Sequence, residues 1–181
     1  MKKLILTGIL IVSLAALCGC GSASSTTHPI INSRLKELNN HASKESVGIQ
    51  KIIDALNAKD REAVKAAFSS SALDETGDIE GGIDYLFALI PDEIQDYEKD
   101  TYVEDSRVRY GHEVVEMKEW YTVSTQNGTY AFFILEYTKD TDHSENRGIY
   151  ALRACKEEDK AEHFSSWQKM KIAGIYVPDE S

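Results

Sequence analysis

Cysteine is scarce in this chain, with three residues, Cys18, Cys20 and Cys155, and the first two stand close to the start. Long apolar runs are missing too. The longest, Leu4 to Leu17, falls short of the roughly 20 residues that cross a hydrocarbon core, which argues against a permanent transmembrane anchor. Positive charge is in deficit: 20 Lys and Arg face 30 Asp and Glu, for a net charge of −10. That balance argues against nucleic acid as a partner, and against a basic headgroup patch as the means of membrane attachment. The five histidines, His28, His41, His112, His143 and His163, show no metal-ligand spacing. His112 beside Glu113 is the least bland of them, and it reads as a surface residue. No G-x-S-x-G elbow occurs, and "EGGID" lacks the lysine of a phosphate loop. "DETGDIE" and "DTDHSEN" lack the ligand spacing of a calcium loop. No cofactor, no metal and no catalytic constellation are expected.

What is present begins with Lys2 and Lys3, a cationic start before the apolar segment, which together read as a secretory signal. The signal ends in "LCGC", Leu17 to Cys20. These residues resemble a bacterial lipobox, in which a small residue precedes a cysteine that receives a diacylglyceryl group and becomes the new amino terminus. Cys20 fits, with Gly19 before it. Cys18 does not, because bulky Leu17 would flank the cleaved bond. Two acyl chains make a stable anchor where one is marginal. The expected organisation is therefore a signal at 1–19, a lipidated cysteine with spacer and a possible short helix at 20–45, and a single domain at 46–181. The location is the outer face of the cell membrane. Loss of Lys2 and Lys3 with the signal makes the mature charge −12. Cys155 is then the one free thiol, which excludes an intramolecular disulfide. In "GIYALRAC" it reads as a small buried hydrophobe.

With 42% hydrophobic and 28% charged residues, the chain reads as globular. "GSASSTTHP" is a flexible spacer, and Ile31, Leu35 and Leu38 share one face of a possible short helix. Ile49, Ile52, Ile53 and Leu56 follow the i, i+3, i+4, i+7 rule of an amphipathic helix. Asp60 can cap a second helix containing Ala63, Val64, Ala67 and Phe68. A third places Ile79, Ile83, Leu86, Phe87 and Ile90 in register before Pro91. Gly81 and Gly82 weaken its start, which implies either a close backbone approach or a later start.

After Pro91 the period changes from helical to two, and aromatic and β-branched residues accumulate from Arg107 onward. "WYTVSTQNGTYAFFILEY" reads as a hairpin with a two-residue type I′ turn at Asn127 and Gly128. That turn sets Val123 against Phe132, Tyr121 against Ile134 and Trp120 against Leu135. Trp120, Phe133 and Leu135 then share a second face that needs cover, and a homodimer through these three residues is expected. Further strands are expected over Gly148–Cys155 and Phe164–Ile172, joined by the charged "KEEDKAE". Helices followed by a meander of antiparallel strands give an α+β fold.

"IIDALNAKDREAVKAAFSSSAL" resembles the opening helices of the nuclear-transport-factor-two-like, or cystatin-like, superfamily. More narrowly, "IDYLF", "EWYTVST", "FFILEYTKDT", "GIYALR" and "WQKMKIAGIYVP" resemble small lipoproteins of Gram-positive bacteria that carry a domain of unknown function. The resemblance implies a cone, a curved sheet wrapped around helices, and brings no catalytic residues. Superfamily members include isomerases, dehydratases and binding modules, so the fold leaves activity open. Tyr85, Trp120, Tyr121, Tyr137, Tyr150, Arg153 and Trp167 are the candidate pocket or interface residues, since rings with polar handles suit a small amphipathic ligand. The expected function is a lipid-anchored envelope module that binds a small ligand or an envelope protein. The alternative is an isomerase or hydrolase with its pocket inside the cone.

Overall fold

The computed structural model describes residues 47–178, so the signal, Cys18, Cys20, the spacer and the helix expected around Ile31 lie outside the described residues. The first helix, α1 (Val47–Asn57), buries Ile49, Ile52, Ile53 and Leu56, the stripe expected from their spacing. At its end the Asn57 side chain closes two hydrogen bonds on Ile94: Nδ2 donates to the carbonyl at 3.1 Å, and Oδ1 accepts from the amide at 2.8 Å. A helix end is thereby tied to the first strand, 37 residues later.

Asp60 caps α2 (Arg61–Ala66) as expected, accepting from the Ala63 amide at 3.0 Å. An unanticipated helix, α3 (Ser70–Glu75), follows with Ser69 as its cap. The turn between them bridges Phe68 to Ile149. Asp78 then caps α4 (Ile79–Leu89). Gly82 answers the question its sequence raised: a Cβ there would lie 2.6 Å from the Ile175 Cβ, so the helix starts early and the glycine serves a close approach.

The sheet has five strands in the order β1-β2-β3-β4-β5. These are β1 (Ile94–Arg109), β2 (His112–Thr125), β3 (Thr129–Asp140), β4 (Gly148–Lys156) and β5 (Gly174–Tyr176). The first four are antiparallel neighbours, and β5 runs parallel to β4. Register shifts occur at Ile94/Asp96, Lys99/Thr101, Val115/Glu116 and Leu135/Glu136. Bulges of this kind bend the strands and strengthen their twist. The sheet is accordingly curved and unclosed, and the fold is α+β, as expected.

The central hairpin corrects the expected register. Ser124 pairs with Thr129, Val123 with Tyr130, Tyr121 with Phe132 and Trp120 with Phe133, so the connection is longer than two residues. Neither Asn127 nor Gly128 has a positive φ. Instead the Thr125 hydroxyl oxygen accepts from the amides of Asn127 and Gly128 at 3.3 and 3.1 Å, and Asn127 Nδ2 donates to Asp92 at 3.0 Å. The slip is two residues, so every side chain keeps its expected face. The two-residue turn with positive φ at both positions lies earlier, at Tyr110 (52°) and Gly111 (86°), between paired Arg109 and His112.

On the inner face, Tyr121, Val123, Phe132, Ile134 and Leu152 join the helices in the main core. On the outer face, Phe133 (0% exposed), Leu135 (1%), Ala151 and Met170 form a second cluster, flanked by Trp120 and Phe164. The chain's own C-terminal segment covers Phe133 and Leu135 on that face, while Trp120, the third residue expected there, is half-buried. The segment is also not the expected strand over Phe164–Ile172. It forms a 3-10 turn (Glu157–Asp159), α5 (Lys160–His163) and α6 (Trp167–Met170) before β5.

Candidate functional site

Alternation along β2 separates the aromatic candidates. Tyr121 points into the main core, edge-on to Tyr97 at 6.1 Å, whereas Trp120 points outward to Phe133 at 5.0 Å. Tyr137 and Tyr150 meet edge-on at 6.0 Å. Their hydroxyls donate to carboxylates, Tyr137 to Glu116 Oε2 at 3.2 Å and Tyr150 to Glu75 Oε2 at 2.6 Å. Tyr85, on α4, donates to the Ala154 carbonyl at 2.8 Å. Each phenol is held as a donor. Burial pushes the Tyr85 and Tyr137 pKa up to about 12, and the Glu75 hydrogen bond, with burial, does the same for Tyr150. These tyrosines are structural and do not converge on one ligand site. The Trp167 side chain lies outside the described residues.

The inner face also carries Glu119, 1% exposed, whose Oε1 lies 2.8 Å from Lys99 Nζ. This partly buried ion pair takes up the carboxylate that an acid–base reading would use. The outer face carries a second pair, Glu116 with Lys118 at 2.5 Å, extended by Asp105 at 3.3 Å from the lysine. His112 stands exposed at the start of β2 beside Asp142. Among the described residues, no group of His, Cys, Asp and Glu could hold a metal ion.

Arg153 is different. It lies on the outer face of β4, between Phe133 on β3 and Tyr176 on β5, and is 2% exposed. Among the described residues its Nε and Nη1 have no hydrogen-bond partner. No carboxylate pairs with it among the described residues. Its guanidinium carbon lies 3.9 Å from the centre of the Tyr176 ring and 6.0 Å from that of Phe164. Burial pulls its pKa below the ordinary value, an effect opposed by Tyr176.

A pocket of about 240 Å³ opens over this residue, walled by His163, Ser165, Ser166, Lys169 and Tyr176, with Glu162 also lining it. Lys169 Nζ lies 6.0 Å from the centre of the same Tyr176 ring. Ser165 donates to the Glu162 carbonyl at 2.8 Å, and Ser166 Oγ accepts from the Lys169 amide at 3.4 Å, which fixes the loop. Cys155 follows two positions after Arg153, and burial pushes its thiol up to about 11, so it is no nucleophile at neutral pH. Among the described residues, Arg153 is the one candidate pocket residue named from the sequence that lines this pocket, with His163, read there as a scattered histidine, on its wall. Lys169 and Tyr176 carried no signal, because what makes them neighbours is the parallel pairing of β5.

No curated protein matches the chain. A family of unknown function matches residues 51–157, from the second turn of α1 to the end of β4. Arg153 lies inside that range, and the segment bearing Lys169 and Tyr176 lies beyond it. The match spans more than half of the sequence, and the chain belongs to this family, DUF5104.

Proposed function

We propose that this protein is a lipid-anchored, extracytoplasmic binding module of the bacterial cell envelope, built on a nuclear-transport-factor-two-like cone. Binding is favoured over catalysis by what fills the concave face. Tyr121, Phe132 and Ile134 are buried there against α1 and α4, in the place where a cone enzyme needs a cavity for acid–base chemistry. The helices-then-sheet order and the curvature suit the cone. The anchor rests on Lys2, Lys3, the apolar run and "LCGC". No helix among the described residues is long and apolar enough to cross a membrane.

The test is fractionation with metabolic palmitate labelling. Wild-type protein takes up label and sediments with membranes. Cys20→Ser takes up none and is released or left as uncleaved precursor, while Cys18→Ser behaves as wild type. A processed Cys20→Ser chain that stays on the membrane refutes the anchor.

A further inference from the structure

A buried charge without a partner is costly. Transfer of an ammonium- or guanidinium-sized ion from water carries an effective penalty of several kcal/mol, which native structures offset with an opposite charge and hydrogen bonds. Among the described residues Arg153 has neither from a carboxylate, and two of its nitrogens have no acceptor there. The groups that weigh most on its charge besides burial are Tyr176, Cys155 and Tyr85, two phenols and a thiol rather than carboxylates. Tyr176 covers one face of the guanidinium and gives it cation–π support, but it supplies no counter-charge.

We propose that the pocket over Arg153 binds a small anion, seated by a carboxylate or phosphate group against the Arg153 guanidinium and Lys169. The guanidinium is planar, permanently charged and matched in shape to two oxygens of such a group, whereas a lysine acts as a point charge. Lys169 supplies that second charge at the exposed rim, against the same tyrosine ring. Among the described residues the Ser166 hydroxyl oxygen serves as an acceptor for the Lys169 amide, which leaves its proton to be donated. Among the described residues Glu162 is the one carboxylate on the wall, so these residues bring more positive than negative charge to it within a chain of net charge −10. An acidic protein repels extended polyanions, and a local cationic pocket admits a compact anion. A volume of about 240 Å³ lies below the range of drug-sized ligand sites, which sets the ligand at a few non-hydrogen atoms around its anionic group. This assignment deepens the binding-module reading by naming the ligand class, but its chemistry does not depend on the anchor.

The test is NMR of full-length protein in non-ionic detergent at low salt, titrated with inorganic phosphate and separately with acetate. The Arg153 Nε–H resonance and the Lys169 amide are followed. At least one anion should shift both signals saturably at one site per chain; phosphate alone assigns phosphate-bearing ligands, and acetate alone assigns carboxylates. Lys169→Gln, at an exposed position, should keep the fold and weaken binding about two- to fivefold, the ordinary worth of an exposed charge. Arg153→Gln should abolish the shift at Lys169, and Arg153→Lys should not restore it. Failure of both anions to bind the full chain overturns the proposal. So does unchanged binding by Lys169→Gln together with Arg153→Gln, or by Lys169→Gln alone if the arginine variant does not fold. A chain ending at Pro178 that binds when the full chain does not would assign the counter-charge to Asp179 or Glu180, and would likewise overturn it. Palmitate labelling is unaffected in every case, so failure here is distinct from failure of the anchor.

Discussion

Gly82→Ala sets two effects of opposite sign against each other. In a helix interior, alanine is favoured over glycine by up to about 1 kcal/mol. The new Cβ, however, would lie 2.6 Å from Ile175 Cβ and 3.2 Å from the Ile175 carbonyl oxygen, against roughly 3.5–4.0 Å for carbon atoms at their optimum. Ile175 Cβ is fixed to the backbone of β5, so no rotamer change relieves the overlap; α4 or β5 must slide by about an ångström. Overpacking of this kind costs typically 1–3 kcal/mol, and the net effect should be a loss of about 1–2 kcal/mol after the propensity gain. For a domain of this size that lowers Tm by roughly 3–7 °C. Gly77→Ala is the control, because a Cβ there meets nothing within 4 Å and its φ lies outside the positive region. It should raise stability by about 0.4–1 kcal/mol through the unfolded chain. Thermal melts by circular dichroism, backed by urea titrations with unchanged m-value, read both. A Gly82→Ala variant that melts at or above wild type would refute the close approach of α4 and β5.

Two more outcomes follow from local geometry. Gly111→Val should destabilise by about 1–3 kcal/mol, and because nothing lies within 4 Å of the added Cβ, the whole effect is backbone strain at φ +86°; an unchanged urea midpoint would remove the Tyr110–Gly111 turn. With its thiol held up at about 11, Cys155 should react with Ellman's reagent in the folded state at pH 8 far more slowly than in guanidinium chloride. Immediate labelling of the native thiol would show that β4 is not closed over it.

Helices α1, α2 and α4 were legible because their apolar residues recur at helical spacing, with Asp60 marking the start of α2, whereas the short α3, α5 and α6 were not. Strand β1 was not legible either, because as an edge strand it is charged and largely exposed, with Ile94 its one buried residue. Asn127 and Gly128 are the residue types of a tight hairpin, yet the Thr125 hydroxyl captures the amides that would close it, and Asn127 is spent on Asp92. Tyr110 hid the real turn, since tyrosine is no turn signal. In the C-terminal segment, Ser166 accepts from the Lys169 amide and favours α6 over a strand. Sequence patterning could pick out Arg153 as a candidate. That it is buried without a carboxylate depends on which residues β5 and α6 bring over it, and no local pattern encodes that.

The two faces of the sheet are sealed by opposite ends of the chain. Helices α1 and α4 precede every strand, so the inner face can close as soon as β2, β3 and β4 pair. Phe133 and Leu135 must wait for Phe164 and Met170, which follow them by some thirty residues in a chain made from its amino terminus. Until those residues arrive, the growing domain is a half-finished sandwich with one oily side open, and Arg153 stands at its edge in water. Closure of the last segment therefore does two things in one step: it dries the outer face, and it strips the arginine of solvent.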